Sequence, residues 1–284
     1  MNASSQRVEL KPDVSTEIKL WRNDRAASPA VLLLPALGIP AGAYRRVAEA
    51  ICAAGCHVLT IDLRGIGSSS VRATRKIDWG YADMINGELE ALLHHARVQL
   101  PDSTLHWFCH SMGGHLAVIH SIEQLTAGKA SADGIMLAAS GDPRIDLLAP
   151  KVRRQARLLV LIVRAMLPIM GVFRGDWVGF GGRQSATLMR EWAGFVVDGT
   201  MPMGDKRLPS ENAASIRVLG LAMDADDFAP VAAVTALAKR LTAEPQIETI
   251  AAENNLPPPG HTAWLKSPPS ALINAVAAFV RGDS

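Results

Sequence analysis

Cysteine is scarce in this chain of 284 residues: Cys52, Cys56 and Cys109 are the full set. An odd, small number excludes a disulfide framework, and the three read as reduced, mostly buried thiols. No second cluster of cysteine or histidine stands at zinc-like spacing, so no metal is expected. Charge of one sign is also missing. With 29 Lys and Arg against 27 Asp and Glu, the net charge is +2, which lacks the basic footprint of a nucleic-acid binder. The longest apolar stretch, 158–170, is interrupted by Arg164 and contains Pro168. It falls short of the roughly 20 apolar residues that span a bilayer, so no transmembrane helix is expected. The first residues, Met1 to Gln6, show no basic segment followed by an apolar one. No secretory signal is expected, and the expected location is cytoplasmic. Gly65-x-Gly67 lacks the third glycine of a dinucleotide loop, and no organic cofactor is expected. A small molecule is the default partner; the oligomeric state is left open.

What the chain does contain is alternation. Arg7–Leu10 and Glu17–Trp21 read as an opening antiparallel pair of strands. Apolar runs at Val31–Leu34, His57–Asp62, Thr104–Cys109 and Gly134–Ala139 then alternate with helical patterns at Ala43–Ala54, Glu88–Gln99 and Gly113–Leu125. That order predicts an α/β fold, a mostly parallel sheet covered by helices. After Gly141 the rhythm breaks, and about 75 residues pass before the next buried strand, Ile216–Ala222. A parallel crossover needs only about a dozen or more residues. An insertion is therefore expected, written here as a helical cap over 142–206 between two core segments, 1–141 and 207–284. The alternation resumes with helix Val231–Leu241, strand Ile247–Ile250, a proline-rich loop and a final helix, Ser270–Arg281.

Cys109-His110-Ser111-Met112-Gly113 stands where strand gives way to helix. Small residues two before and two after the serine let the two elements approach closely, and the next backbone N–H is left free. Gly113 meets that requirement; Cys109, still small, replaces the first glycine. A serine hydroxyl is a poor nucleophile at neutral pH and needs a histidine base, with a carboxylate to orient it. Both follow in the order Ser, Asp, His. Strand Ile216–Ala222 runs into Asp224-Ala225-Asp226-Asp227-Phe228-Ala229-Pro230, and strand Ile247–Ile250 leads to Gly260-His261. His261 is the only histidine after His120.

Together with Asp62-Leu63-Arg64-Gly65-Ile66-Gly67-Ser68-Ser69, these segments resemble the α/β-hydrolase family over nearly the whole chain. The inserted segment and Gly260-His261 are also similar to predicted bacterial hydrolases and to the serine aminopeptidase or lysophospholipase-like branch. The resemblance implies a Ser-His-Asp triad of Ser111, His261 and Asp226. The family's acid commonly stands four residues before a proline, which selects Asp226, with Asp227 and Asp224 as alternatives. The Asp62 turn has a structural role in the family. Pro35-Ala36-Leu37-Gly38 stands where members usually carry His-Gly and then an oxyanion residue, which makes Leu37 a candidate donor of a backbone N–H beside Met112.

The implied activity is hydrolysis of a carboxylic ester with a hydrophobic acyl group, by way of an acyl-enzyme and without metal or cofactor. A thioesterase or acyltransferase with the same triad is the alternative, and a non-catalytic binding module is the reading from another class. A cofactor-free lyase or perhydrolase would use the same constellation. Trp177, Phe180, Trp192 and Phe195 are candidates to line an acyl pocket under the cap. Arg153, Arg157 and Arg164 fall on one helical stripe, a pattern shared by solvated faces and by anion-attracting or membrane-touching ones. His110 is read as a packing residue, since neighbours on a strand point to opposite faces.

Overall fold

The computed structural model describes residues 3–204, 207, 216–253 and 258–282. The two opening segments are β1 (Ser4–Lys11) and β2 (Val14–Trp21), paired antiparallel. β2 buries alternate side chains, while β1 lies at the sheet edge with Arg7, Glu9 and Lys11 exposed. Charge on an edge strand discourages pairing with another chain. The apolar runs become β3 (Ala30–Leu34), β4 (His57–Ile61), β5 (Leu105–His110) and β6 (Gly134–Ala138), every residue of them buried. β7 (Val172–Arg174) and β8 (Arg183–Ser185) form a separate antiparallel ribbon. β9 (Arg217–Met223) and β10 (Gln246–Ile250) complete an eight-stranded sheet of order β1-β2-β4-β3-β5-β6-β9-β10, parallel from β4 onward.

α1 (Arg45–Ala53) follows β3, α2 (Tyr81–Met84) and α3 (Glu90–Gln99) follow β4, and α4 (Met112–Thr126) follows β5. α5 (Pro150–Met170), α6 (Gly175–Val178) and α7 (Ala186–Asp198) lie between β6 and β9. α8 (Val231–Ala238) follows β9, and α9 (Ser270–Arg281) comes last. Because strand side chains alternate, the central strands feed two cores. Leu32, Leu34, Trp107 and Leu137 pack under α3, α4 and α8, whereas Val31, Leu33, Phe108 and Met136 pack under α1 and α9. Burial on both faces is why these strands are continuously apolar rather than alternating.

The segment between β6 and β9, expected as a helical cap, holds α5, α6 and α7 and also carries the short ribbon β7–β8. Strands of three residues are too short to carry a period-two pattern. The expected end of the insertion, at 206, lies outside the described residues. The segment has a small core of its own, including Val160, Val163, Phe173 and Met189. It is tied to the sheet domain at Asp78–Tyr81: Ser185 Oγ–H and Leu188 N–H donate to the Trp79 carbonyl at 2.6 and 3.0 Å, and Tyr81 N–H donates to Glu191 at 2.8 Å. No helix among the described residues is long and apolar enough to cross a membrane.

The turn after β4 is held from inside. Asp62 Oδ1 accepts from Ala41 N–H at 2.7 Å, and Oδ2 accepts from Ser68 N–H and Oγ–H at 2.9 and 2.8 Å. Arg64 is 3% exposed and donates to both carboxylate oxygens of the fully buried Glu88, at 3.1 and 3.0 Å. Burial pushes the Glu88 carboxyl up, and the guanidinium opposes that rise. Removing one member of such a pair strands the other charge, so Arg64→Met is expected to cost about 3–5 kcal/mol. The double variant Arg64→Met/Glu88→Leu is expected to recover most of the loss. Urea unfolding midpoints check both, and a double variant as unstable as the single would contradict the account.

Candidate active site

β5 ends at His110 and α4 begins at Met112, which leaves Ser111 alone at the junction with φ +53° and ψ −121°. Side-chain-bearing residues avoid that region, and holding one there stores strain. The surroundings enforce it. Gly113 brings the first turn of α4 against the end of β3, where a Cβ would lie 2.7 Å from the Leu34 carbonyl oxygen and 2.9 Å from that of Pro35. The Ser111 carbonyl accepts from Gly114 N–H at 2.9 Å and from Ser140 Oγ–H at 2.6 Å. Cys109 packs in the core with Leu34 and Met112, so a thiol occupies the space that a glycine would leave open. Full burial raises its pKa well above the usual thiol value and keeps it protonated.

The loops after β9 and β10 bring the other two candidates to Ser111. His261 Nε2 is 3.0 Å from Ser111 Oγ, and His261 Nδ1 is 2.8 Å from Asp226 Oδ2. With Nδ1–H donating to the carboxylate, Nε2 is free to accept the serine proton. The Asp226 side chain is fully buried, and its other oxygen accepts from the N–H groups of Phe228 and Ala229 at 2.9 and 3.1 Å. One oxygen therefore shapes the loop entering α8 while the other faces the histidine. Asp227 turns away, its carboxylate 2.5 Å from Lys151 Nζ, and Asp224 is exposed. Trp264 Nε1–H donates to the His261 carbonyl at 3.0 Å and pins the loop from below.

The loop after β3 is organised by a residue the sequence reading passed over. Tyr44 is fully buried; its hydroxyl accepts from Ala36 N–H at 2.8 Å and lies 2.7 Å from His110 Nδ1. The helical pattern does carry a signal, because Tyr44 shares a face with Val47, Ala48 and Ile51, and a buried hydroxyl requires a partner. His110 packs against His261 with ring centroids 5.0 Å apart and planes tilted by 51°, and burial holds its pKa well below the usual imidazole value. Leu37 and Met112 line the cavity in front of Ser111, and the N–H of neither is engaged by an acceptor among the described residues. Gly38, at φ +76°, lets the tip of this loop meet the Gly181 backbone, where a Cβ would run into the Gly181 carbonyl.

The cavity is about 680 Å³ and mostly apolar, running from Ser111 and His261 to Ile39, Leu159, Ile162 and Phe228. Of the four aromatic candidates, Phe180 and Trp192 line it, with rings 5.2 Å apart. The other two do not. Trp177 is 60% exposed beneath the Arg174 guanidinium, and Phe195 is buried behind the wall against His115. Aromatic type marks the segment as apolar but says nothing about which side of a short helix each ring occupies.

Residues 25–172, just over half of the chain, match the family described as serine aminopeptidase, S33. Solved structures with the same fold include a monoglyceride lipase from Saccharomyces cerevisiae, 12% identical over 100% of this chain and 97% of its own, at a TM-score of 0.70. A thermostable carboxyl esterase from Bacillus coagulans is 16% identical, with 99% of each chain covered and a TM-score of 0.64. A haloalkane dehalogenase variant from Bradyrhizobium elkanii is 16% identical over 99% of this chain and 97% of its own, at 0.66. At such identities the structural likeness is one of fold, and these relatives differ in chemistry. The family match carries more, because it shows the chain to be a hydrolase. The chain thus belongs to the serine aminopeptidase S33 family of the α/β-hydrolase superfamily.

Proposed function

We propose that the protein is a serine hydrolase that cleaves a carboxylic ester with a hydrophobic acyl group. The observation that carries this reading is the unbroken contact from Asp226 through His261 to Ser111, opening into an apolar cavity of about 680 Å³. Ser111 Oγ attacks the ester carbonyl carbon while His261 Nε2 takes the hydroxyl proton. Asp226 holds the ring in the required tautomer and stabilises the cation that forms. The N–H groups of Met112 and Leu37 receive the developing oxyanion, where one donor is worth about 3–4 kcal/mol in the transition state. His261 then gives its proton to the departing alkoxide, leaving an acyl-enzyme. Water repeats the attack, releases the acid and restores Ser111.

The inserted segment over 142–206 acts in this reading as a cap, closing the acyl side of the cavity with Leu159, Ile162, Phe180 and Trp192. A wall of that composition favours an acyl chain over a sugar or a charged peptide. Thioester cleavage, or transfer of the acyl group to an alcohol or amine, would use the same three residues, so the acceptor is decided by assay.

A fluorophosphonate probe is expected to label Ser111, located by mass spectrometry, and labelling that persists in Ser111→Ala would sink the mechanism. His261→Ala and Asp226→Asn are each expected to lower kcat on p-nitrophenyl esters by about 10⁴-fold. Asp227→Asn should stay within about twofold, since it removes only an exposed pair with Lys151. Adduct formation without hydrolysis of any ester or thioester would redirect the reading to a transferase.

Tyr44→Phe removes the acceptor of Ala36 N–H beside the proposed oxyanion loop. A stability loss of about 1–3 kcal/mol is expected for the stranded donor. A loop that has lost its anchor should also lower kcat about 10- to 100-fold with little change in KM. An equal rise in KM at constant kcat would show that the loop binds substrate without acting on the transition state.

A further inference from the structure

α5 turns three different surfaces in three directions, and one of them faces outward without a partner. Val152, Ala156, Val160, Val163 and Leu167 are buried in the inserted segment, while Leu159 and Ile162 face the cavity. The outer face is not the polar stripe an ordinary surface helix presents. Leu158, Leu161 and Ile169 are 58, 62 and 72% exposed, with Ala165 and Pro168 exposed between them. Arg154, Arg157 and Arg164 are exposed on the same side. At 3.6 residues per turn these eight residues fit within an arc of about 140°. Arg153 is not part of this face, because it folds back onto the carbonyls of Leu148 and Asp146.

Charge singles out the same region. α5 contains no acidic residue, and none of Arg154, Arg157 and Arg164 is paired with a carboxylate among the described residues. Residues 150–198 hold eight Lys and Arg against three Asp and Glu, a net +5 within a chain whose total is only +2. The remaining residues are therefore net acidic, and the molecule is electrically polar, with its positive end at the inserted segment. Leu158 belongs both to the outer face and to the rim of the cavity, where it is joined by Val178, itself 40% exposed and next to the 60% exposed Trp177.

We infer that the outer face of α5 docks on an anionic lipid surface, so that the cavity opens beside the bilayer and takes a lipid ester from it. Exposed aliphatic side chains interleaved with arginines, on a helix that does not span, are the pattern of an interfacial helix: the apolar side chains enter the acyl boundary while the guanidinium groups meet phosphates. A second protein copy would fit less well, since two such faces would bring like charges together. The substrate class rests on the ester-hydrolase reading, whereas the docking does not.

The test uses the full chain carrying Ser111→Ala, so that binding is read without turnover, in cosedimentation with vesicles of phosphatidylglycerol or of phosphatidylcholine. Binding to phosphatidylglycerol is expected to be at least tenfold stronger and to weaken about tenfold in high salt, where charge is screened. Leu161→Ser/Ile169→Ser and Arg157→Gln/Arg164→Gln, all at exposed positions away from the cavity, should each reduce binding at least tenfold. In the active protein the same pairs should leave cleavage of a short soluble ester unchanged and lower that of a long-chain ester embedded in vesicles. Failure to bind phosphatidylglycerol, or equal binding by the variants, overturns the inference even if soluble ester is cleaved. So does a dimer in sedimentation velocity that Leu161→Ser/Ile169→Ser converts to monomer, because it would show that the face covers a second copy. Vesicle binding without any ester cleavage would instead count against the hydrolytic reading alone.

Discussion

Ser111 is held at φ +53°, ψ −121°, and the head of the sheet is arranged around keeping it there. A residue in such a region costs about 1–3 kcal/mol and persists only where its neighbours over-determine it. Here they do so from three sides. β5 is buried along its whole length and fixes the approach, Gly113 presses the first turn of α4 onto the Leu34 and Pro35 carbonyls, and the Ser140 hydroxyl holds the Ser111 carbonyl at 2.6 Å. The strain has a geometric product: Ser111 Oγ faces His261, and the start of α4 presents beside it an N–H that no acceptor among the described residues engages. Relaxing the backbone to an ordinary conformation would turn that hydroxyl away from Nε2.

Two histidines meet at this point, and the design depends on their being unlike. His110 and His261 have ring centroids 5.0 Å apart, so two positive charges there would repel by about 3 kcal/mol at an effective dielectric of about 20. In the proposed mechanism His261 must carry a proton in the transition state. Burial keeps His110 neutral by holding its pKa far below the usual value. A neutral ring packs against His261 without opposing its cation. The same buried ring sits 2.7 Å from the Tyr44 hydroxyl, which in turn accepts from Ala36 N–H. A single packed chain therefore joins the strand before Ser111 to the loop opposite it, linking the positions of base and proposed oxyanion donors.

Much of this was legible in the sequence because the signals were local. Val31–Leu34 and Thr104–Cys109 are apolar runs bounded by turn residues, the pattern of parallel strands covered on both faces. Ser111, Asp226 and His261 are legible for a related reason: each follows a strand, and a parallel sheet gathers the ends of its strands on one edge. The divergence of Asp226 and Asp227 needed three dimensions, since only the fold places one carboxylate against His261 and the other against Lys151. Tyr44 and Ser140 escaped notice because their partners are 8 and 29 residues away along the chain, with no motif to connect them. The ribbon β7–β8 and the opposite fates of Trp177 and Phe195 belong to the inserted segment, where short elements leave periodicity nothing to work on.

That segment also shows how one helix constrains chemistry at a distance. α5 begins with Pro150 at its first position and ends at Gly171 in the left-handed conformation, so its length is set by its own sequence. Its rotation is then fixed by burial of Val152, Ala156, Val160, Val163 and Leu167, and cannot change without exposing them. With that face committed, Leu159 and Ile162 must enter the cavity and Leu158, Leu161 and Ile169 must face out. Any change of cavity shape that turned the helix by one residue, about 100°, would also rearrange the outer apolar and basic face. The shape of the cavity and the character of the exposed face are thus coupled through a single rotation angle, and neither is free to vary without the other.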